Sequence, residues 1–370
     1  MIMKHPGRLA ATTILSALAM VLLSACEAPL SPVGFRIFEW TYAGDYGAPK
    51  PLVTAVWYPT TFDAAANADA DATTTYANGV VGRAITDAQG DWNRAPCPLI
   101  IWSHGYTGTG LAAAYLGEYL AARGFVFAAV DHNDPFNPVR ITGIQHPPSR
   151  YTFDRRRRAV ADLLADRPGL NHARYAYRAK ELAAVIDKLL EGNIDENFPL
   201  AGMMAAHQIG AGGHSMGGYT VLSMIGCVPG RVDERIKAAV LHSPAAWMWA
   251  DEDYQRIAVP TMYMVGQREG ESRAFKLIDA DRALANTPPP AWYLQIADAH
   301  HVSFTDLRRL VDLPEKVPTA MPWPDQSATI ARYTHAMFER FLRPDYQAAA
   351  NATLSTGDKW TSEFQVDRPD

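Results

Sequence analysis

The chain has 370 residues and a formal net charge of −5, with 48% hydrophobic and 20% charged residues. That is the composition of an ordinary globular protein, and nothing in it recruits nucleic acid. Length and apolar content suffice for one large α/β core with insertions.

The N-terminus stands apart from that core. Lys4 and Arg8 form a basic region and Leu9 to Leu23 an apolar one, too short to span a bilayer comfortably, so residues 1–25 read as a signal peptide. Leu23-Ser24-Ala25-Cys26 then resembles the lipobox of bacterial lipoproteins. The resemblance implies that Cys26 becomes the lipidated first residue of the mature chain and anchors it to a membrane. Glu27 stands where inner-membrane retention usually uses Asp, which implies an outer-membrane anchor in the bacterial cell envelope, facing the periplasm or the exterior. In such an oxidising compartment a disulfide between Cys97 and Cys227 is permitted, although nothing in the sequence brings them together.

Residues 26–34 read as a tether. Phe35 to Thr41 and Leu52 to Tyr58 predict two antiparallel strands, and the Ala/Asp/Asn-rich stretch from Thr60 to Thr75 an exposed insertion. Leu99 to Ser103 is a buried strand, followed by a glycine-bearing loop, a helix over Leu111 to Ala122 and a fourth strand over Phe125 to Val130. Strand, helix and strand in this order make a parallel βαβ unit. Residues 135–177 break the alternation, punctuated by Pro135, Pro138, Pro147 and Pro148, and they lie where a cap over a pocket would sit. Within them the basic run Arg155 to Arg158 reads as a solvated helix face. Tyr177 to Leu190 is an amphipathic helix. Strands follow at Ile236 to Leu241, Val259 to Val265 and Trp292 to Ile296, with helices at Ser272 to Leu284 and Ser327 to Phe341. The domain is expected over residues 35–345, and residues 346–370 as a loose polar tail.

Ile209 to Tyr219 organises all of this. Ser215 sits between Gly213 and Gly217, with an apolar lead-in before it and a helical pattern after it. Gly-x-Ser-x-Gly between strand and helix places the serine hydroxyl on a sharp turn above the sheet edge. A side chain at either glycine would collide with the neighbouring strand or helix. A serine hydroxyl needs a base to take its proton, an imidazole can do so near neutrality, and a carboxylate must hold the imidazole's tautomer. In the order serine, acid, histidine, the loops at Gly266 to Glu271 and at His300-His301 qualify.

Four stretches, Trp102 to Tyr106, Gly124 to His132, Gly213 to Gly218 and His301 to Asp306, resemble the α/β-hydrolase fold. They are similar to its branch of dienelactone hydrolases, platelet-activating-factor acetylhydrolases and bacterial cutinases. The resemblance implies a mostly parallel central sheet with helices on both faces and an insertion after the fourth strand. It implies a serine carboxylic-ester hydrolase working through an acyl-enzyme, with small-molecule, lipid or polymeric ester substrates, no cofactor and no metal. Ser215 would be the nucleophile and His301 the base, since Phe304 and Asp306 follow it as in the family's loop. The backbone N–H groups of Tyr106 and Met216 would form the oxyanion hole. Tyr106 would also wall the acyl group, Trp247 would line the pocket or pack in the core, and His104 would shape the oxyanion loop. Dienelactone hydrolases proper carry cysteine at the elbow, so Ser215 argues against that activity.

The acid departs from the acetylhydrolase pattern. Their aspartate lies soon after the sixth strand, whereas Ser243 to Met248 here contains no carboxylate. Glu269 stands three residues after Gly266, the spacing many other hydrolases of this fold use. Glu271 is its main rival, and Asp251 to Asp253 cluster as a solvated turn. A non-enzymatic lipoprotein binding factor is the alternative of a different class, although it has no use for a base-paired serine.

Overall fold

A computed structural model describes residues 30–44, 47–61, 74–165, 172–271, 279–306 and 323–367. The signal segment 1–25, Cys26 and most of the tether lie outside them, as do most of the Thr60 to Thr75 insertion and the start of the helix expected at Ser272.

Twelve strands are described: β1 (Val33–Ala43), β2 (Pro49–Pro59), β3 (Ile85–Thr86), β4 (Cys97–Ser103), β5 (Val126–Val130), β6 (Val139–Arg140), β7 (Gly143–Ile144), β8 (Met204–His214), β9 (Ile236–His242), β10 (Thr261–Gly266), β11 (Ala291–Ile296) and β12 (Thr361–Asp367). Ten of them form one sheet in the order β12-β11-β10-β9-β8-β4-β5-β2-β1-β3. From β5 through β11 all neighbours run parallel, while β1, β2 and β12 add antiparallel strands at the two edges. The elbow strand β8 lies in the middle, between β4 and β9. This is the α/β-hydrolase fold.

Strand periodicity divides the core. In β4, Leu99 and Ile101 face one apolar cluster, and Ile100 and Trp102 the other. The first cluster is covered by α3 (Ala176–Asn193), through Leu182, Val185, Ile186 and Leu189, and by α4 (Met216–Leu222). The second is covered by α1 (Ala114–Ala121) and α6 (Trp323–Leu342), through Leu116, Leu120, Ile330, Met337 and Phe338. Both faces of the parallel strands are therefore dry, which is why they read as unbroken apolar runs.

Between β5 and α3 the insertion holds the β6-β7 hairpin and the helix α2 (Arg150–Ala165). Beyond β10 a short helix, α5 (Ala280–Asn286), precedes β11. One sequence expectation changes. The C-terminal segment is not a loose tail: α7 (Gln347–Thr353) packs there, and β12 pairs antiparallel with β11 over Ala291 to Ile296. Cys97 and Cys227 are separate buried thiols.

Candidate active site

Ser215 adopts φ +56° and ψ −117°, a strained conformation for a residue with a side chain. Its N–H donates to the carbonyl of His242 at the end of β9, and its carbonyl accepts from Ala245 N–H at 3.1 Å. The two glycines of the turn are sterically required. A Cβ on Gly213 would lie 2.4 Å from the carbonyl carbon of Gly217, and one on Gly217 would lie 1.8 Å from the Ser103 carbonyl oxygen. Met216 is the first residue of α4, so its N–H has no acceptor within the helix.

The loop after β4 runs beside this turn: a Cβ on Gly105 would lie 3.3 Å from Ser215 Cβ. His104 fixes its backbone. The Nε2 of His104 accepts from the His132 N–H at 3.0 Å, so the proton sits on Nδ1, which donates to the Gly105 carbonyl at 2.7 Å. That carbonyl shares a peptide plane with the Tyr106 N–H, so holding one aims the other the opposite way. Asp134 accepts from Thr107 N–H, and Asp131 accepts from Thr109 Oγ1 and Gly110 N–H. Arg178, fully buried, donates to the His104 carbonyl and forms a 2.6 Å ion pair with Asp134. Removing either partner of that pair would strand a buried charge. Beneath it, His132 Nδ1 faces Glu181 at 2.8 Å and its Nε2 meets Ser103 Oγ at 2.7 Å. None of these partners beyond His104 was read from the sequence as a support of this loop. They come from three separated segments, and no local spacing relates them.

The acid and the base come from neighbouring loops. Gly266 ends β10, and a Cβ there would lie 2.3 Å from the Ala299 carbonyl, so the two loops pack backbone to backbone. Glu269 Oε2 stands 3.5 Å from His301 Nδ1, both side chains being buried. The separation is long for a hydrogen bond, as such pairs often are without substrate. Glu269 Oε1 accepts from Gly266 N–H at 2.7 Å and from Ser243 Oγ. Ser243, named from the sequence only as the start of the stretch that lacks a carboxylate, here holds the glutamate. Asp251 is exposed and pairs with Arg282 at 2.6 Å. The Glu271 side chain lies outside the described residues. His214 links the loops, its Nε2 donating to the His301 carbonyl at 2.9 Å with ring centroids 4.6 Å apart. Trp247 is buried in the first core cluster, and Asp306 accepts from the Tyr115 N–H in the first turn of α1.

A cavity of about 460 Å³ opens beside Tyr106, walled by the insertion through Phe136, Tyr151, Arg155, Arg158 and Arg174. Trp247 does not line it. The basic run is solvated as expected, with Arg155, Arg157 and Arg158 exposed, and part of it borders the cavity. Tyr151, Arg155, Arg158 and Asp162 fall at helical spacing on one stripe of α2, and Arg156 Nε donates to Thr107 Oγ1 at 3.1 Å. Arg157 alone of the four arginines has neither role. Among the described residues no group of three His, Cys, Asp or Glu is arranged to hold a metal ion.

Burial depresses the affinity of several of these histidines for protons. His104, His132 and His214 are held well below the ordinary histidine value, and His242 is pushed down to about 3. The unfolded chain therefore binds more protons than the folded one between pH 6.5 and about 3, and stability falls as pH drops through that window. Asp131, raised to about 6 by burial, and Glu181, also raised by burial, oppose this in the carboxylate range, but as two groups against four. The urea midpoint is expected to fall from pH 7.5 to pH 5, and His242→Gln to shrink that fall. A midpoint higher at pH 5 would contradict the assignment.

A family model described as platelet-activating factor acetylhydrolase, isoform II, matches residues 88–310. The chain belongs to this family. The matched span runs from before β4 through the oxyanion-type loop, the Ser215 elbow and the His301 loop. Membership makes the chain, in general terms, an ester hydrolase of the serine type. No curated protein matches it. Among the solved structures with which it can be compared, the ferulic acid esterase from Streptomyces cinnamoneus shares the fold at a TM-score of 0.61 and 22% identity, over 86% of this chain and 93% of the other.

Proposed function

We propose that the chain cleaves carboxylic esters through a covalent acyl-enzyme, with Ser215 as nucleophile, His301 as base and Glu269 as acid. The observation that carries this reading is the approach of Glu269 to His301 in a loop that is itself bonded to the serine elbow through His214. In the first half-reaction Ser215 Oγ attacks the ester carbonyl while His301 takes its proton. The oxyanion formed would be met by the N–H groups of Met216 and Tyr106, the latter aimed by the His104 bond to Gly105. His301 then protonates the leaving alcohol, and water, activated by the same imidazole, releases the acid. Glu269 keeps the His301 proton on Nδ1 so that Nε2 can serve as the base.

Burst kinetics on p-nitrophenyl esters from acetate to palmitate, beside an oxidised phospholipid and a polyester film, test the reading. A burst equal to the enzyme concentration with short acyl groups is the expected result. Absence of turnover across the whole panel would leave the non-enzymatic binding factor as the better reading. The lipobox-like sequence supports a lipid anchor at Cys26 in the same reading. Mass spectrometry of the mature chain should find acyl chains there, and an unmodified Cys26 would overturn the anchor.

A further inference from the structure

The two N–H groups proposed for the oxyanion belong to separate segments, Tyr106 in the loop after β4 and Met216 at the start of α4. One oxyanion must meet both at about 2.7–3.1 Å, so their spacing has to be set before substrate arrives. The Arg178 guanidinium, fully buried in the first turn of α3, reaches both segments. Each of its three nitrogens has its own acceptor. Nη2 donates to the His104 carbonyl, Nη1 to Asp134 Oδ1 at 2.6 Å, and Nε to Thr220 Oγ1 at 3.2 Å. Asp134 carries the link onward to the loop, its Oδ2 accepting from the Thr107 N–H at 3.0 Å. Tyr106 is thereby tied on both sides. Thr220 carries the link to the elbow, its hydroxyl donating to the Met216 carbonyl at 2.9 Å.

Burial alone would raise the Asp134 carboxyl, yet the Arg178 guanidinium beside it holds it below its ordinary value, so the pair stays ionised. Asp134 Oδ1 also accepts from Tyr177 Oη at 2.6 Å, which fixes the carboxylate's rotation. An ion pair that served stability alone would need only its two partners. This guanidinium instead directs its other two nitrogens to one acceptor in each segment beside the nucleophile. A planar fork can hold acceptors in fixed directions, whereas a lysine ammonium is a single flexible point of charge.

We infer that Arg178 is a positioning residue that sets the spacing of the Tyr106 and Met216 N–H groups, through Asp134 and His104 on one side and Thr220 on the other. This rests on the acyl-enzyme reading above and adds to it the residue that joins the two halves of the oxyanion hole.

The test is Arg178→Lys, which keeps a charge beside Asp134 and loses the fork. With p-nitrophenyl acetate its kcat is expected to fall about 10²-fold, the scale of a 1 Å misplacement, with KM nearly unchanged. The acid limb of its pH–rate profile should stay where the wild type has it, because His301 and Glu269 are untouched. Benzeneboronic acid supplies the readout that a merely structural role would not move. Its boron takes the Ser215 oxygen to become a tetrahedral anion, the serine proton passing to His301, and one boron oxygen sits where the oxyanion forms. Its affinity should fall by the same factor as kcat. Thr220→Val breaks the elbow side at nearly equal volume and should show a smaller loss in the same two quantities. The double variant should fall little below Arg178→Lys, since both substitutions break one link. Wild-type kcat and boronate affinity in a folded Arg178→Lys would overturn the inference, as would lost kcat with boronate affinity intact. If Arg178→Lys shows no urea transition, Thr220→Val decides alone: a parallel loss supports the inference, and wild-type values overturn it. If the wild type turns over no ester, the acyl-enzyme reading falls by itself, and boronate titration followed by tryptophan fluorescence still tests the link. Weaker binding in the variants then supports it, and equal binding, or none in any of the proteins, overturns it.

Discussion

Ser215→Ala is expected to lower kcat for a p-nitrophenyl ester by roughly 10⁶-fold, the scale seen when the nucleophile of a serine triad is removed. Among the described residues no other serine sits in a Gly-x-Ser-x-Gly turn between a strand and an α-helix. Ser243 points its hydroxyl at Glu269, and the Ser103 hydroxyl meets His132. The variant should fold as the wild type does. Ser215 already occupies φ +56°, and alanine there carries the same Cβ and the same backbone strain, with its N–H still donating to the His242 carbonyl. An unchanged urea midpoint together with lost turnover is the predicted pair. Residual activity above about one part in a hundred in the purified variant would remove Ser215 from the mechanism.

Glu269→Gln is expected to cost about 10⁴ in turnover, and the reason is legible in the donors around it. Gly266 N–H and Ser243 Oγ both donate to the Oε1 position, so the amide oxygen of a glutamine must take that place. The amide nitrogen is then left facing His301 Nδ1, the atom 3.5 Å from Oε2 in the native chain. A donor there demands an acceptor, so the His301 proton moves to Nε2, and the imidazole can no longer take the serine proton. The loss should appear in kcat, with little change in fold. Near wild-type turnover in Glu269→Gln, with collapse in Glu271→Gln or Asp251→Asn, would move the acid to that residue.

Much of this arrangement could be read before any coordinates. The parallel strands are buried on both faces, so β4, β5 and β9 stand out as apolar runs, and Gly213, Ser215 and Gly217 mark the turn between β8 and α4. Glu269 was reachable because its spacing from Gly266 is local. The strand β12 was not: Thr361 to Asp367 offers only Phe364 and Val366 on one face to the second core cluster, too short an apolar alternation to stand out beside its backbone pairing with β11. The arginines of α2 were read as a solvated face, and Arg155, Arg157 and Arg158 are exposed; weighing the run as a block missed only that part of it borders the cavity. Taken at helical spacing, Tyr151, Arg155, Arg158 and Asp162 separate from Arg157 and form one stripe. The supports of the oxyanion-type loop were out of reach for a different reason. Asp134, Arg178 and Glu181 meet His104 and His132 only because α3 packs beneath β4 and β5, a tertiary contact with no sequence period.

The most direct test of the central claim is covalent. The full chain, treated with a fluorophosphonate probe and digested for tandem mass spectrometry, should carry one adduct per molecule, on the peptide containing Gly213 to Gly217 and at Ser215 itself. Esterase activity should fall in step with that occupancy. An adduct on a different serine, or activity that persists with Ser215 fully modified, would contradict the account.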